Sequence, residues 1–465
     1  MQKIKFSEIA EAVGGTLHGK DGEIISVSTD TRTIEKGSLF VCIKGENFNA
    51  HLFASQAAEK GAVCIMAEEK VECECSVIYV SSTRQAQLDL ARFYREKFSI
   101  PVVGITGSVG KTTTKEMISC VMEAKYKTLK TEGNFNNDIG VPRMIFRLDE
   151  SYGAAVLEMG MSALREISVL TKAVRPTCSV ISNIGVSHIE NLGSRENILK
   201  AKLEILEGME EGSTLFVNGD DDMLSTVEDS SFNIVRYGID GENLDYTAIN
   251  ILQDNEKTEF EIQYDGKCRK IVLPTIGIHN VYNALSVVAS LHQAGIDIEK
   301  VKKHFATFTG MGRRFQKVGE FDGITVYDDY AHHPTEIKAT LSCAESFKNK
   351  RVIAVFQPHR FTRLKNLWND FLESFAGVDM VVVTDVYAAS ETPIEGVSGE
   401  DFVNELSKIL DVPCKHFSGD MKSVAEQLFP CLENGDVVIG LGAGTITALG
   451  KELFAVNEGL ANVAN

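Results

Sequence analysis

Basic charge is what this sequence is short of: 47 Lys and Arg stand against 65 Asp and Glu, a formal net charge of −18 at pH 7. That balance argues against nonspecific binding to nucleic acid or to an anionic membrane, and it leaves any anionic substrate to a local cluster of donors. Long apolar runs are missing as well. No stretch approaches the roughly 20 consecutive apolar residues that span a bilayer, so no membrane partner is expected. The N-terminus, MQKIKFSEIAEAVGG, reads as a short strand and an amphipathic helix, without the apolar run and cleavage site of a signal peptide. Ten cysteines are scattered without a secreted-type framework, so reduced thiols in the cytoplasm are expected. Cys73 and Cys75 have no second pair or His placed to complete a metal site. Proline occurs only nine times, and neither a low-complexity tract nor a short-period repeat is present.

What is present is a soluble-type composition, 44% hydrophobic and 24% charged, in 465 residues, too many for one ordinary core. Three regions separate on pattern. Residues 1–98 mix short strands (SLFVCIKG, GAVCIMA, VIYV) with helical stretches such as HLFASQAAEKGA. A second unit, 99–309, opens on the buried-strand run VVGIT, a Gly-rich turn and the helix KTTTKEMISCVMEA. Its apolar runs AAVLEMG and CSVISNIG alternate with helical segments, as in a largely parallel sheet. Within it, 243–273 alternates like antiparallel strands and reads as an added hairpin region. A third unit, 310–465, carries the strands ITVYDDY, RVIAVFQ, MVVVTDVY and DVVIGLG with helices between, a Rossmann-like α/β sheet. The turn Gly440-Leu-Gly-Ala-Gly444 lacks the spacing and downstream acid of a dinucleotide fingerprint and reads as a strand-to-helix turn.

The sharpest local signal is Gly104-Ile-Thr-Gly-Ser-Val-Gly-Lys-Thr-Thr-Thr114, between a buried strand and a helix. Glycines let backbone fold tightly around phosphate oxygens, and a helix N-terminus presents free N–H groups and the positive end of its dipole. Gly107, Ser108, Gly110, Lys111, Thr112 and Thr113 form the expected ATP cradle. Lys111 brings a point charge to the β- and γ-phosphates, and Thr112 a hydroxyl to Mg²⁺. The strict P-loop pattern asks for glycine where Ile105 stands; the strand-turn-helix context and the Gly-Lys-Thr-Thr core outweigh that miss. Mg²⁺ prefers oxygen ligands, so acids are expected at nearby strand ends. Glu158, after AAVL and before a turn, fits, although alone it is equally a helix-start carboxylate; His188, after VISNIG, is by itself more often a loop histidine than a ligand.

These residues carry a resemblance. GITGSVGKTTT, TEGNFNNDIGVP, LEMGMSALREI, NIGVSHIENLG, AKLEIL and GIHNVYNAL occur in the order found in Mur ligases, and the likeness covers the whole chain. It implies a three-domain α/β architecture with a P-loop-type central ATPase domain and a Rossmann-like last domain. It also implies that ATP phosphorylates the precursor's terminal carboxylate, and that the incoming amine attacks the acyl phosphate. Lys111, Glu158, His188 and Lys202 are then the catalytic set. Thr112, Glu158, His188 and Lys202 hold magnesium, two ions in all, with Lys202 carried as a carbamate. Lys200 is a rival two residues away. Asn280, with His279 and Asn283 beside it, matches the adenine side, and Asn134, Asn136 and Asn137 lie near the active site. In STDTRTIEKGSLFVCIKGENFNAH, the residues Thr29, Thr31, Arg32, Lys44 and Asn47 are implied to bind the UDP-linked precursor.

The last third is similar to other members. Over the first two domains the chain resembles the ligases that add D-alanyl-D-alanine to UDP-N-acetylmuramoyl-tripeptide. Tyr327-Asp-Asp-Tyr-Ala-His-His-Pro334, Phe356-Gln-Pro-His-Arg-Phe-Thr-Arg363 and Asp385-Val-Tyr-Ala-Ala-Ser-Glu-Thr-Pro393 instead resemble the members that add L-alanine to UDP-N-acetylmuramate or recycle tripeptides. From those members Arg360 and Arg363 are implied to grip the acceptor carboxylate, with His359, Tyr330 and His333 around them. Asp329, or Asp328, is implied to reach the ATP ribose. Arg314, or its neighbour Arg313, is implied to reach the γ-phosphate once the last domain closes and excludes water. The dipeptide-adding reading leads because the N-terminal pattern belongs to members accepting longer stem peptides, and a monomer is expected. A folylpolyglutamate-type ligase is disfavoured by that N-terminal domain, and a non-catalytic module by the intact Lys111, Thr112, Glu158, His188 and Lys202.

Overall fold

The computed structural model describes residues 1–464 except 46–47, 255–256, 307, 309–312, 314, 344–346 and 348–349. Two compact units result. One comprises Met1–Ala248, Ile262–Lys267 and Tyr282–Phe305; the other comprises Ile249–Glu261, Cys268–Val281 and the chain from Ala306 on.

The first unit begins with a five-stranded sheet in the order Thr16–His18, Ser76–Tyr79, Ala62–Ala67, Ser38–Val41, Ser26–Ser28. Its strand Ser38–Val41 is buried at every position, and the reason is period-two alternation between two covered faces. Leu39 and Val41 join one core with Ile9, Met66, Ile78 and Leu90, while Phe40 joins the other with Ala54, Ala57 and Ile65. Ser26–Ser28 pairs with Ser38–Val41 on one side only and forms the sheet edge.

The larger sheet of this unit positions the site. Val102–Thr106 lies between Ala154–Glu158 and Cys178–Ile181, parallel to both. Thr128–Lys130 continues beyond Ala154–Glu158, and Thr214–Asn218 and then Asn233–Gly238 beyond Cys178–Ile181, again all parallel. Successive strands therefore go to opposite sides of Val102–Thr106, and a crevice opens at its carboxyl end, where α/β sheets bind ligands. The segment 243–273 does form strands, Tyr246–Gln253, Thr258–Tyr264 and Lys267–Leu273. The first of them starts parallel to its predecessor, through Tyr237↔Tyr246, so the segment opens as a continuation of the parallel sheet.

The second unit holds a six-stranded sheet in the order Gln316–Phe321, Ile324–Asp329, Val437–Leu441, Val352–Phe356, Met380–Thr384, Cys414–Phe417. Only the first pair is antiparallel. Separate apolar clusters cover its faces, Phe356, Phe371 and Phe402 on one and Val355, Leu428 and Leu453 on the other. Gly440–Gly444 ends a strand and leads through Thr445–Ala448 into the helix Leu449–Ala464, the strand-to-helix turn that its sequence predicts. A Cβ on Gly442 would stand 2.8 Å from the Gln357 carbonyl oxygen.

Candidate active site

The turn after Val102–Thr106 leads directly into the helix Lys111–Met122, capped by Gly110 in the left-handed region at φ 84°. Glycine is required by space as well. A Cβ on Gly107, at φ 150°, would sit 1.8 Å from Ser182 Oγ, and one on Gly110 2.6 Å from Asn283 Oδ1. Lys111 Nζ folds over the turn and donates to the carbonyls of Gly107 (2.7 Å) and Ser108 (3.2 Å). An ammonium held by neutral carbonyls can exchange them for phosphate oxygens, which bind it more strongly. The first half of the turn is anchored by a residue that the motif does not reveal. Asn183 Oδ1 accepts from the backbone N–H of Ser108 (3.0 Å) and Val109 (2.9 Å). Its only signal in the sequence is an asparagine following a buried strand. Ser108 Oγ in turn accepts from Gly185 N–H at 2.8 Å, tying the turn to the segment that carries His188.

Glu158 ends the neighbouring strand and is buried, 3% exposed. Thr112 Oγ1 donates to one of its carboxylate oxygens at 3.0 Å and Asn136 Nδ2 to the other at 2.9 Å. Its backbone N–H donates to Thr131 Oγ1, and the Thr131 carbonyl accepts from the buried Lys115 Nζ at 2.6 Å. Of the implied Asn-rich run, Asn136 thus joins the carboxylate. Asn137 Oδ1 instead accepts from Gly140 N–H (2.8 Å) and stabilises its own turn, and Asn134 contributes a backbone carbonyl to Asn136 N–H. His188 sits in the left-handed region, φ 63°, heading the short helix Ile189–Leu192. Thr113 lies in the first turn of the phosphate-loop helix. Asn283 Oδ1 accepts from Thr114 Oγ1 at 3.3 Å, which places it behind the turn.

Burial separates the two candidate lysines. On the helix Arg195–Leu203, Lys200 is exposed, whereas Lys202 is 3% exposed among Ile198, Ala201 and Ile205. Desolvation, with the Lys111 charge nearby, holds the Lys202 amine well below its ordinary range. A lowered pKa favours the free amine, the form that adds to CO₂ and, on losing a proton, gives a carbamate. The loop cradle, Thr112, Glu158 and this amine thus fit a magnesium nucleotide. Among the described residues no three of His, Cys, Asp and Glu gather as a metal cage, so ligands for such an ion come from the mixed set above.

The residues implied for the UDP-linked precursor lie on the small sheet's edge. Thr29 lines a cleft of about 480 Å³ beside Ser26–Ser28. Arg32, largely exposed, makes a two-point grip on Asp30, with Nη2 to Oδ2 at 2.7 Å and Nε to Oδ1 at 3.0 Å. That grip pulls the Asp30 carboxyl down to about 2. Thr31 offers its carbonyl to Lys60 Nζ, and Lys44 pairs with Glu69. Asn47 lies outside the described residues.

In the second unit, Asp329 is occupied by its own loop: its carboxylate accepts from Phe315 N–H (2.6 Å) and Ala331 N–H (2.7 Å). Asp328 is the acid with an open oxygen. Its Oδ2 accepts from Arg313 Nε (3.1 Å) and Thr447 Oγ1 (2.8 Å), while its buried Oδ1 has no donor among the described residues. Arg313 also donates to the Gly442 carbonyl and lies over the Tyr330 ring; Arg314 is outside the described residues. Asn280 Nδ2 donates to the Ile276 carbonyl, and the His279 ring lies beside Gly277.

Of the residues implied for the acceptor, His359, Arg363 and, through His332, Tyr330 come together. The His359 ring stacks on Tyr387 at 5.4 Å, meets His332 at 5.9 Å, and has Arg363 Nη1 3.5 Å from its Nδ1. Burial, then the charges of Arg363, His332 and Arg360, bring its pKa down to about 4, so at neutral pH it is an uncharged donor and acceptor. Arg360 adopts φ 70° and heads the helix Phe361–Asn366; Glu391 accepts from Thr362 beside it. Tyr330 packs edge-on against His332, and His333 caps the helix Pro334–Ser342. Tyr387 and Glu391 were visible in the sequence only as members of a resembling segment.

Comparison with known proteins agrees along the chain. Residues 23–103 match the model described as Mur ligase family, catalytic domain; 105–291 match the Mur ligase middle domain; 313–444 match the Mur ligase, glutamate ligase domain. A UDP-N-acetylmuramoyl-tripeptide--D-alanyl-D-alanine ligase of Bacillus subtilis is 38% identical over 355 residues, 75% of this chain and 77% of that protein. A UDP-N-acetylmuramate--L-alanine ligase of Brachyspira hyodysenteriae is 31% identical over 469 residues, 96% of this chain and 94% of that protein. In structure, MurF from Acinetobacter baumannii superposes with a TM-score of 0.85 at 24% identity, over 98% of this chain and 99% of that one. With a phosphate cradle at a sheet switch point, a Rossmann-like second sheet and relatives of this identity along most of its length, the chain belongs to the Mur ligase family of ATP-dependent ligases.

Proposed function

We propose that this ligase adds D-alanyl-D-alanine to UDP-N-acetylmuramoyl-tripeptide, forming ADP and phosphate, in the cytoplasmic part of peptidoglycan precursor synthesis. The observation that carries the reading is the cluster of Lys111, Thr112 and Glu158 at the crevice, with buried Lys202 on the helix Arg195–Leu203. Ten free cysteines and the lack, among the described residues, of a helix long and apolar enough to cross a membrane accord with it.

A carboxylate is a poor electrophile because its leaving group is poor. In the proposed sequence the tripeptide's terminal carboxylate oxygen attacks the γ-phosphorus of ATP, ADP departs, and an acyl phosphate forms. The dipeptide's amine, having lost its ammonium proton, attacks the acyl carbon; phosphate leaves with the C–O bond pair, the nitrogen gives up a second proton to phosphate or water, and the amide remains. Lys111 exchanges the Gly107 and Ser108 carbonyls for β- and γ-phosphate oxygens. The turn's backbone N–H groups and the helix N-terminus hold the rest of the phosphate chain. Thr112, Glu158, His188 and a carbamylated Lys202 would hold Mg²⁺, which would supply the charge neutralisation that phosphoryl transfer needs. Asn136 fixes Glu158 without adding charge. Arg360 and Arg363 bind the dipeptide carboxylate, and neutral His359, held by Tyr387 and His332, hydrogen-bonds it without a further charge. The three family regions then divide the work: precursor binding in 1–98, ATP chemistry in 99–309, acceptor binding in 310–465.

A second reading, an L-alanine-adding or tripeptide-recycling ligase, is favoured by the acceptor-side segments 327–334, 356–363 and 385–393 and by the L-alanine ligase relative spanning 96% of the chain. The test common to both is Lys111→Ala. ATP-dependent phosphate release should fall at least about 100-fold with an unchanged circular dichroism spectrum; retained turnover removes the phosphate-loop assignment.

A further inference from the structure

The helix that follows the phosphate turn, Lys111–Met122, carries a cation on its buried side. Lys115 is 2% exposed, on a helix whose Met117, Ile118 and Val121 are all buried. Taking an ammonium out of water is expensive, and an apolar side chain of similar volume fills such a position without that cost. A lysine there is therefore explained by what its ammonium holds.

Lys115 Nζ donates to the Thr131 carbonyl at 2.6 Å and lies 3.2 Å from Glu116 Oε1. Thr131 follows the strand Thr128–Lys130, and its hydroxyl accepts from the Glu158 backbone N–H at 2.9 Å. Thr112, three residues before Lys115 on the same helix, donates to the Glu158 carboxylate. Residues three apart lie on one helix face. One face of this helix thus grips Glu158 twice, its carboxylate directly and its backbone through Thr131. The contacts close a ring that runs from Thr112 to Glu158, Thr131 and Lys115 and back along one helical turn.

A second tie lies outside the ring. Glu116 Oε2 pairs with Lys130 Nζ at 2.7 Å and joins the same helix to the same strand end. Attachment of the strand is thus supplied without Lys115, and Glu116 keeps a cation when Lys115 is removed. What Lys115 adds is a fixed place for Thr131, and through it for the strand end that carries Glu158. Groups behind a metal-binding side chain matter in this way, because a ligand must be held to within about 0.5 Å.

We infer that Lys115 is a positioning residue for Glu158, setting the carboxylate against the phosphate turn through Thr131. The inference rests on the proposed role of Glu158 as a magnesium ligand, and adds the buried cation that keeps it in place.

The test is calorimetric titration of the full chain with ADP, in Mg²⁺ and again in EDTA, on wild type, Lys115→Met, Glu158→Gln and the double variant. Magnesium should tighten ADP binding by wild type at least about tenfold, and Lys115→Met should lose most of that factor. In EDTA the same variant should bind ADP as wild type does, because Lys111 and the N–H groups of the turn are untouched. In Glu158→Gln, adding Lys115→Met should change nothing further, since both act on one carboxylate. A merely structural role would weaken ADP equally with and without magnesium, which overturns the inference. If Glu158→Gln loses the magnesium effect while Lys115→Met keeps it, this inference alone fails. If wild type shows no magnesium effect, or Glu158→Gln retains it, the reading of Glu158 fails and takes this one with it. Urea unfolding checks the fold, and the Lys115→Met midpoint should match wild type because Glu116 keeps Lys130. Should that variant not fold, Thr131→Val cuts the ring at another point with little change of shape. It should show the same selective loss, and a full magnesium effect in it would overturn the inference.

Discussion

Lys202 shows how one residue can be placed by solvation alone. A buried ammonium is unfavourable, and burial, with the Lys111 charge nearby, holds the Lys202 amine well below its ordinary range. The sign for stability follows from that depressed pKa. Between the folded-state value and the ordinary lysine value the unfolded chain binds more protons, so this group's contribution favours folding increasingly as pH rises through that window. Carbamylation converts the same neutral amine into an anionic ligand. Lys202→Ala should therefore lose about 10- to 100-fold or more in turnover and regain part of it with added acetate or formate. A fully active mutant contradicts the carbamate. His359 gives the second residue-scale prediction. Its pKa is depressed to about 4, so its contribution to stability is present at neutral pH and is lost as pH falls from the ordinary histidine value through about 4. The acceptor KM should accordingly show no histidine titration between pH 5.5 and 8; a step near 6.5 that disappears in His359→Gln would show the ring to be charged in use.

At the scale of elements, the phosphate turn is held from behind as much as by its own sequence. Ser182 leaves no room for a side chain on Gly107, and Asn183 occupies the N–H groups that open the turn. Gly107→Ala should cost about 1–3 kcal/mol in urea unfolding and raise the ATP KM sharply, since the added Cβ displaces either Ser182 or the turn. An alanine variant with unchanged midpoint and KM would mean that the turn adapts freely. Much of this was legible beforehand. VVGIT, AAVLE, CSVI and four of the six strands of the second sheet announce themselves as predominantly apolar runs because both their faces are covered. The choice between Lys200 and Lys202 was not: by its residues alone Lys202 reads as a solvated helix lysine, and only the folded helix shows it buried and Lys200 exposed. Gln316–Phe321 was not, because five of its six positions are partly or wholly exposed and its pattern is interrupted by an irregularity in register. Nor was Asn183, a single polar residue whose meaning arises from a partner 75 positions away.

At the scale of the whole molecule, a chain of net charge −18 handles a nucleotide, a phosphorylated intermediate and a carboxylate-bearing acceptor. In the proposed reading it does so with few donors, Lys111 at the phosphate turn and Arg360 and Arg363 at the acceptor segment. By their motifs the first two domains resemble the dipeptide-adding members and the last domain the L-alanine-adding ones, and the acceptor segments are where the two readings of the reaction part. The most direct measurement is phosphate release from ATP by the purified protein over a grid of substrates, pairing UDP-N-acetylmuramate or its tripeptide form with L-alanine, a tripeptide or D-alanyl-D-alanine. Turnover confined to the UDP-tripeptide with D-alanyl-D-alanine is the predicted result. Turnover with UDP-N-acetylmuramate and L-alanine or a tripeptide would contradict it, and would make the last domain the better guide to what this ligase joins.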